Sequence, residues 1–282
     1  MRKIIASTLA GCCVAALAGC VFIGTGESYA DERGSGSSAS SDASVVVTDF
    51  VGVINITTRS GARFSADLEP GEAVRQGVVD RPDVSVSGDG VKVTGQDDLK
   101  INQCRHKNDK LRLKVKGDKL RPLSDFPVLN ITAPSSADMF IGLAGGEADV
   151  GETRKLTFKL YGCGDVELDD VQEGLKLSIH GSGDIVGNDA GEAHISIHGS
   201  GDIELGDVAS DAMVKIHGSG DVDIGDVDGD VEASIHGSGD IDITGGDHLR
   251  TKVSIHGSGD VDVGGTTKDL TASIHGSGDI ET

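Results

Sequence analysis

Val231-Glu232-Ala233-Ser234-Ile235-His236-Gly237-Ser238-Gly239-Asp240-Ile241-Asp242-Ile243 is the stretch that decides the fold of this chain. Its apolar residues fall at every second position, the period of a β-strand and not of a helix. The same parity runs through Leu175–Ile185, Ala193–Leu205, Ala212–Ile224 and Val253–Val263. Carried across the glycines, it turns Gly237 and Gly239 inward and His236, Ser238, Asp240 and Asp242 outward. Alternatively Gly-Ser-Gly is a turn with positive φ, and the parity breaks there.

The His-Gly-Ser-Gly-Asp segment recurs at His180, His198, His217, His236, His256 and His275, at spacings of 18, 19, 19, 20 and 19 residues. Tyr161-Gly162-Cys163-Gly164-Asp165 is an earlier variant, 19 residues before the first. Recurrence at one period is the signature of a solenoid. The expected fold is all-β, a parallel β-solenoid of ~19-residue coils, right-handed, with about two short strands and two or three bends per coil. Gly206-Asp207-Val208 and Gly225-Asp226-Val227 mark further bends. A single coil buries too few aliphatic side chains to offset the entropy of ordering it, so coils must stack and share one core.

The rest of the chain divides around this array. Residues 1–20 read as an export signal: Arg2 and Lys3, then an apolar stretch from Ile4 to Leu17, then Leu17-Ala18-Gly19-Cys20. That tetrapeptide resembles the lipobox of bacterial lipoproteins, which makes Cys20 the lipid attachment site and the first mature residue. Leu9-Ala10-Gly11-Cys12 is a second copy with too short an apolar run before it. Cleavage after Ser28-Tyr29-Ala30 would instead give a soluble exported protein, and a retained transmembrane anchor is the third reading. Residues 21–43 form a Ser/Gly-rich linker. Residues 44–150 carry strand signals without a strict repeat and read as first, irregular coils, with a hairpin at Asp83–Thr94 and strands at Leu111–Val115 and Pro127–Ala133. Residues 151–282 are the regular repeat. Arg105 to Arg121 is rich in Arg and Lys; it either binds an anionic polymer or is the solvated face of a strand hairpin that offsets the acidic remainder.

Composition narrows the function classes. The chain has no Trp, 2 Tyr and 6 Phe, so its core is aliphatic. Its 42 Gly are about twice the usual share. A formal charge of −21 argues against nucleic acid and anionic membrane surfaces as partners, leaving membrane contact to the N-terminal lipid. Of the cysteines outside the signal, only Cys104 and Cys163 remain, and in an oxidising compartment they could pair.

The reiterated Gly-Ser-Gly-Asp-Ile/Val-x-Ile/Val coils, with the lead-in Pro127-Val128-Leu129-Asn130-Ile131-Thr132-Ala133-Pro134 and Gly146-Glu147-Ala148-Asp149-Val150, resemble the bacterial autotransporter adhesin head GIN domain family, also carried as a domain of unknown function. The likeness spans roughly residues 46–282. It implies a secreted or surface β-helix and supplies no ligand or catalytic residue. The His before each Gly-Ser-Gly-Asp is not explained by it.

Two outward columns are the candidate sites. Asp184, Asp202, Asp221, Asp240, Asp260 and Asp279, headed by Asp165, stack like charges one ladder spacing (~4.8 Å) apart. They either bind calcium or accept backbone N–H groups as turn caps. His180, His198, His217, His236, His256 and His275 hold zinc or copper between neighbours, form a pH-sensitive ladder, or pack with the Asp row as partner. Six equivalent His, Ser and Asp rows do not make one preorganised catalytic constellation, so no catalytic residue is expected. The expected function is a non-enzymatic, exported cell-envelope scaffold or adhesin-like module: an outer-membrane or periplasm-facing lipoprotein, or else secreted or periplasmic and soluble. No cofactor is required, calcium excepted. The alternatives are a calcium-stabilised surface module and a carbohydrate-active β-helix enzyme. With nothing after the last repeat, self-association through an uncapped C-terminal end is also expected.

Overall fold

The computed structural model describes residues 43–107 and 110–282. The expected signal, the Cys20 lipid site and all of the linker except Ala43 lie outside the described residues. The first strand, β1 (Val45–Thr58), is followed by β2 (Ser65–Glu69), a five-residue helix α1 (Gly71–Arg75), β3 (Asp83–Val86) and β4 (Val91–Thr94). Next come β5 (Ile101–His106), β6 (Leu111–Val115) and β7 (Arg121–Pro122), a 3₁₀ turn at Leu123–Asp125, β8 (Val128–Ala133) and β9 (Asp138–Val150).

Thereafter long and short strands alternate, one pair per coil: β10 (Thr153–Leu160) with β11 (Gly164–Leu168), β12 (Val171–Gly181) with β13 (Asp184–Gly187), and β14 (Ala190–Gly199) with β15 (Ile203–Leu205). The series continues with β16 (Ala212–Gly218) and β17 (Val222–Asp226), β18 (Val231–Gly237) and β19 (Ile241–Gly245), β20 (Asp247–Gly257) and β21 (Val261–Val263), and β22 (Thr266–Gly276) and β23 (Ile280–Glu281).

Every long strand pairs in parallel with the long strand of the next coil, and every short strand likewise. Ile195, Val214, Ala233, Val253 and Ala272 therefore fall in one row. A third side is marked by single bridges joining Ala190, Val208 and Val227. The result is a β-solenoid of about eight turns, ~19 residues apart. Its core is one continuous column from Val45 to Val263, aliphatic except for Phe50, Phe158 and Met139 near its start. On the last rung Ile274 is 43% exposed, where Ile255 beneath it is 0% exposed.

The Gly-Ser-Gly corner reconciles the two readings of the sequence. Gly237 has φ +149°, which disfavours a side chain, and a Cβ there would run into the carbonyl oxygen of Gly218 on the coil below. Yet the parity survives: Gly239 is buried and His236, Ser238 and Asp240 are exposed. The corner is a bend without a phase slip, which is why inward Ile235 and Ile241 bracket it.

The first coils are built out of chain order. β1 is sandwiched between β9 on one side and β4 and β8 on the other, all parallel to it. β4 and β8 are in turn covered by the antiparallel strands β3 and β2. This closes that end of the ladder, because an antiparallel partner satisfies the edge without offering another parallel one. The expected Asp83–Thr94 hairpin is present, with Val84 opposite Val93. β5, β6 and β7 form a separate small sheet with its own apolar core of Leu111, Leu113, Val115, Leu123, Phe126 and Val51. Cys104 on β5 is disulfide-bonded to Cys163 at the solenoid corner, Cα–Cα 6.3 Å.

Candidate functional site

The solenoid presents two flat outer faces whose side chains are fixed by strand register. On the long strands the six histidines are aligned rung to rung. Their rings stack with centroids 4.8–4.9 Å apart and planes within 1–5° of parallel. Tyr161 heads the stack, 5.8 Å from His180 at 25°. Stacked in this way, the rings meet face to face and leave their edges toward solvent.

The expected partnership with the Asp row is not what the geometry gives. Nδ1 of His180, His198 and His275 lies 3.4–3.5 Å from the hydroxyl of Ser178, Ser196 and Ser273, two residues earlier on the same strand. Strand parity puts those hydroxyls on the histidine's own face, whereas the Asp column lies beyond the glycine corner. The Ser column has one exception, Lys215, and on that rung Nδ1 of His217 is buried without a hydrogen-bond partner. Burial lowers the pKa of His217, and the neighbouring His198, His236 and Lys215 lower it further. His198 is lowered by burial and then by His180.

The short strands carry acid in two adjacent outward columns. One runs Glu147, Asp165, Asp184, Asp202, Asp221, Asp240, Asp260 and Asp279. The other runs Asp149, Glu167, Val186, Glu204, Asp223, Asp242, Asp262 and Glu281, interrupted only by Val186. In the first column the carboxylates from Asp184 to Asp260 accept the backbone N–H of the Asp one coil later: Asp202 accepts from Asp221, and Asp221 from Asp240, both at 2.9 Å. Asp240 and Asp260 do the same at 2.8 Å. The capping is thus between coils and not within each Asp's own turn. The second column lacks such a role for Asp223, whose pKa is raised by burial and then by Asp242, Asp221, Glu204 and Asp202. Asp184 is raised by burial foremost, with Asp202 and Asp165 adding to it.

The same device recurs at two other bends, of which the sequence marked only the Gly-Asp-Val one, as a turn. Asp189 accepts from the N–H of Asp207, and Asp207 from that of Asp226, each at 2.9 Å. Asp211 accepts from Asp230 at 2.9 Å, and Asp230 from the backbone of Arg250 at 3.1 Å and from its guanidinium. The signal was available as Asp at a fixed phase of the repeat.

Among the described residues, no group of three or more His, Cys, Asp or Glu is gathered closely enough to hold a metal ion. Neither column as drawn is a preformed zinc, copper or calcium site. Parallel rings 4.8 Å apart do not converge on a tetrahedral centre. The recurring Ser–His contact belongs to the ladder, repeated from rung to rung, and not to one constellation.

The basic hairpin lies at the head of the acidic face. His106 Nε2 is 3.0 Å from Asp165, and the pKa of Glu147, raised first by burial and then by Asp165, is drawn back down by His106. Near the start of the long-strand face, register shifts at Thr153/Lys155 and Val171/Gly174 leave a groove of about 540 Å³. Several of its charges are paired, Lys155 with Glu173 at 3.1 Å, His194 with Glu192 at 3.1 Å and Asp138 with Arg154 at 2.6 Å.

A family profile described as "Putative auto-transporter adhesin, head GIN domain" matches residues 84–247 of this sequence. The chain belongs to this family. Two solved structures described as putative adhesins are similar to this head GIN chain. One, from Bacteroides fragilis, is 18% identical with a TM-score of 0.48, over 85% of this chain and 92% of that one. The other, from Parabacteroides distasonis, is 16% identical with a TM-score of 0.45, over the same shares. No curated protein matches the chain. Among the described residues no helix is long and apolar enough to cross a membrane.

Proposed function

We propose that this head GIN protein is an exported, non-enzymatic, adhesin-like surface module. The observation that carries the reading is the pair of long outer faces, in register from coil to coil, in a family described as a putative adhesin. Such faces repeat one chemical group every rung, which suits extended, multivalent contact better than the capture of one small molecule. The module is held at the cell envelope by lipid on Cys20, with residues 21–43 as the tether. The export-type N-terminus and the low aromatic content support that setting.

Cells displaying the chain, and cells displaying it without residues 151–282, would be compared for adherence to immobilised host glycans, matrix proteins and other bacterial cells. Adherence that depends on the repeats supports the module. Equal adherence of both, or turnover of polysaccharide by the purified chain, overturns it in favour of an inert scaffold or a carbohydrate-active enzyme. Mass spectrometry of the mature N-terminus tests the lipid on Cys20 directly.

A further inference from the structure

The two outer faces are opposite in charge character and identical in pitch. The acidic face holds eight carboxylates in one column and seven in the other, with no cation in either. The histidine face carries Lys159, Lys176, Lys215 and Lys252 beside the imidazoles, and its acids are already engaged: Glu232 with Lys252 at 2.8 Å and, one column further out, Glu192 with His194 at 3.1 Å. Both faces repeat with the ladder, seen directly as the 4.8–4.9 Å ring spacing.

We propose that the partner of the histidine face is the acidic face of a second copy of this chain, engaged rung against rung when the imidazoles protonate. The surroundings of the imidazole row favour an outside anion. On one side stand the Ser hydroxyls and the ammonium groups of Lys159 and Lys215; at its head is Tyr161. On the other side, past the Ser of each His-Gly-Ser-Gly-Asp, come the chain's own Asp carboxylates, which are engaged with backbone N–H groups of the next coil. The second acidic column, through Asp223, Asp242 and Asp262, is exposed and crowded by its own charge. A protonated imidazole row from another copy supplies a cation for each rung of it.

Five ring steps give the row a length of about 24 Å at ladder spacing. With three outward columns the patch covers roughly 500 Å² per partner, so the contact sits at the lower limit for a specific interface and its strength is set by charge. The contact is heterologous and leaves the pair with one unused face of each kind, one on each copy, so association does not stop at a dimer.

Sedimentation velocity of the purified exported chain at pH 7.5, 6.5 and 5.5, in low salt and in 0.5 M salt, tests this. The expected result is monomer at pH 7.5, open-ended oligomers growing toward pH 5.5 in low salt, and their loss in high salt. Two triple variants decide the faces: His198→Gln/His236→Gln/His256→Gln, and Asp223→Asn/Asp242→Asn/Asp262→Asn, the latter sparing the carboxylates that cap the coils. Each alone stays monomeric at pH 5.5, and an equal mixture forms one-to-one dimers, because each variant retains the face that the other lacks. A wild-type chain monomeric at pH 5.5 overturns the proposal. So does a histidine variant that associates as the wild type does, since association would then follow from loss of carboxylate charge.

Discussion

Lys215 is where the repeat departs from its own rule, and the consequence is local and measurable. In the neighbouring rungs a serine stands two residues before the histidine, and at His180, His198 and His275 its hydroxyl approaches Nδ1. At Lys215 that hydroxyl is gone, and Nδ1 of His217 is buried and unsatisfied. An unpaired buried polar atom costs roughly 1–3 kcal/mol. Lys215→Ser is therefore expected to stabilise the chain by about 1 kcal/mol, a rise of roughly 2–4 °C in Tm for a domain of this size. It should also raise the pKa of His217, by removing one nearby cation and giving the ring a partner. Thermal unfolding and an NMR titration of the ring read the two effects. A lower Tm would mean that the lysine stem's packing outweighs the lost hydrogen bond. The histidine column was legible in the spacing of His-Gly-Ser-Gly-Asp alone. Its serine partners were present at the same parity, but side-chain direction across a corner is what separates Ser from Asp as the neighbour, and a one-dimensional pattern does not contain it.

At the scale of elements, the solenoid coils were readable because each repeats the alternation that a strand with one buried face must have. The order of the first coils was not. β1 lies between β8 and β9, which follow it by tens of residues, and no local pattern records such a return. The small β5–β6–β7 sheet depends on another long-range link, the Cys104–Cys163 disulfide across 59 residues. Closing a loop of that length is worth on the order of 4 kcal/mol in the chain-entropy view. The sheet touches the solenoid through a limited apolar core, so the effect should stay local. Cys104→Ser/Cys163→Ser, or reduction of the wild type, is expected to speed amide exchange in Ile101–Val115 strongly and to leave β12–β23 protected. Hydrogen exchange by mass spectrometry checks this, and uniform loss of protection along the coils would show that the sheet also secures the solenoid. The acidic columns belong to the same scale. Their carboxylates lie in rows and not in clusters, so cations should act by screening. Calcium and magnesium at equal concentration are expected to raise Tm alike, by a few degrees, whereas a rise specific to calcium would reveal a site formed only on binding.

For the whole molecule, the ladders set opposing responses to pH. His198 and His217 have folded pKa values below the ordinary imidazole value. As pH falls through about 6.5 the unfolded chain takes up protons that the folded chain refuses, and stability drops until the folded rings protonate as well. Asp184, Asp223, Glu147 and Asp49 are shifted the other way, by burial first and by neighbouring carboxylates next. They hold protons more tightly folded than unfolded, so their repulsion weakens the fold at neutral pH and is relieved as pH falls through their raised folded values toward the ordinary carboxylate range. Glu72, Asp118 and Glu173 are lowered by hydrogen bonds to Arg75, Arg121 and Lys155, and they lose those bonds' contribution only in stronger acid. Stability against pH should accordingly fall from pH 7.5 to about 5.5, level or recover toward pH 4.5, and fall again below pH 4. Urea midpoints at low micromolar protein, where lateral pairing is dilute, measure the curve. The variant with His198 and His217 replaced by Gln should lose much of the first fall and keep the rest. A wild-type curve that rises steadily from pH 7.5 to 5 would mean that carboxylate repulsion outweighs the imidazole ladder across the whole range.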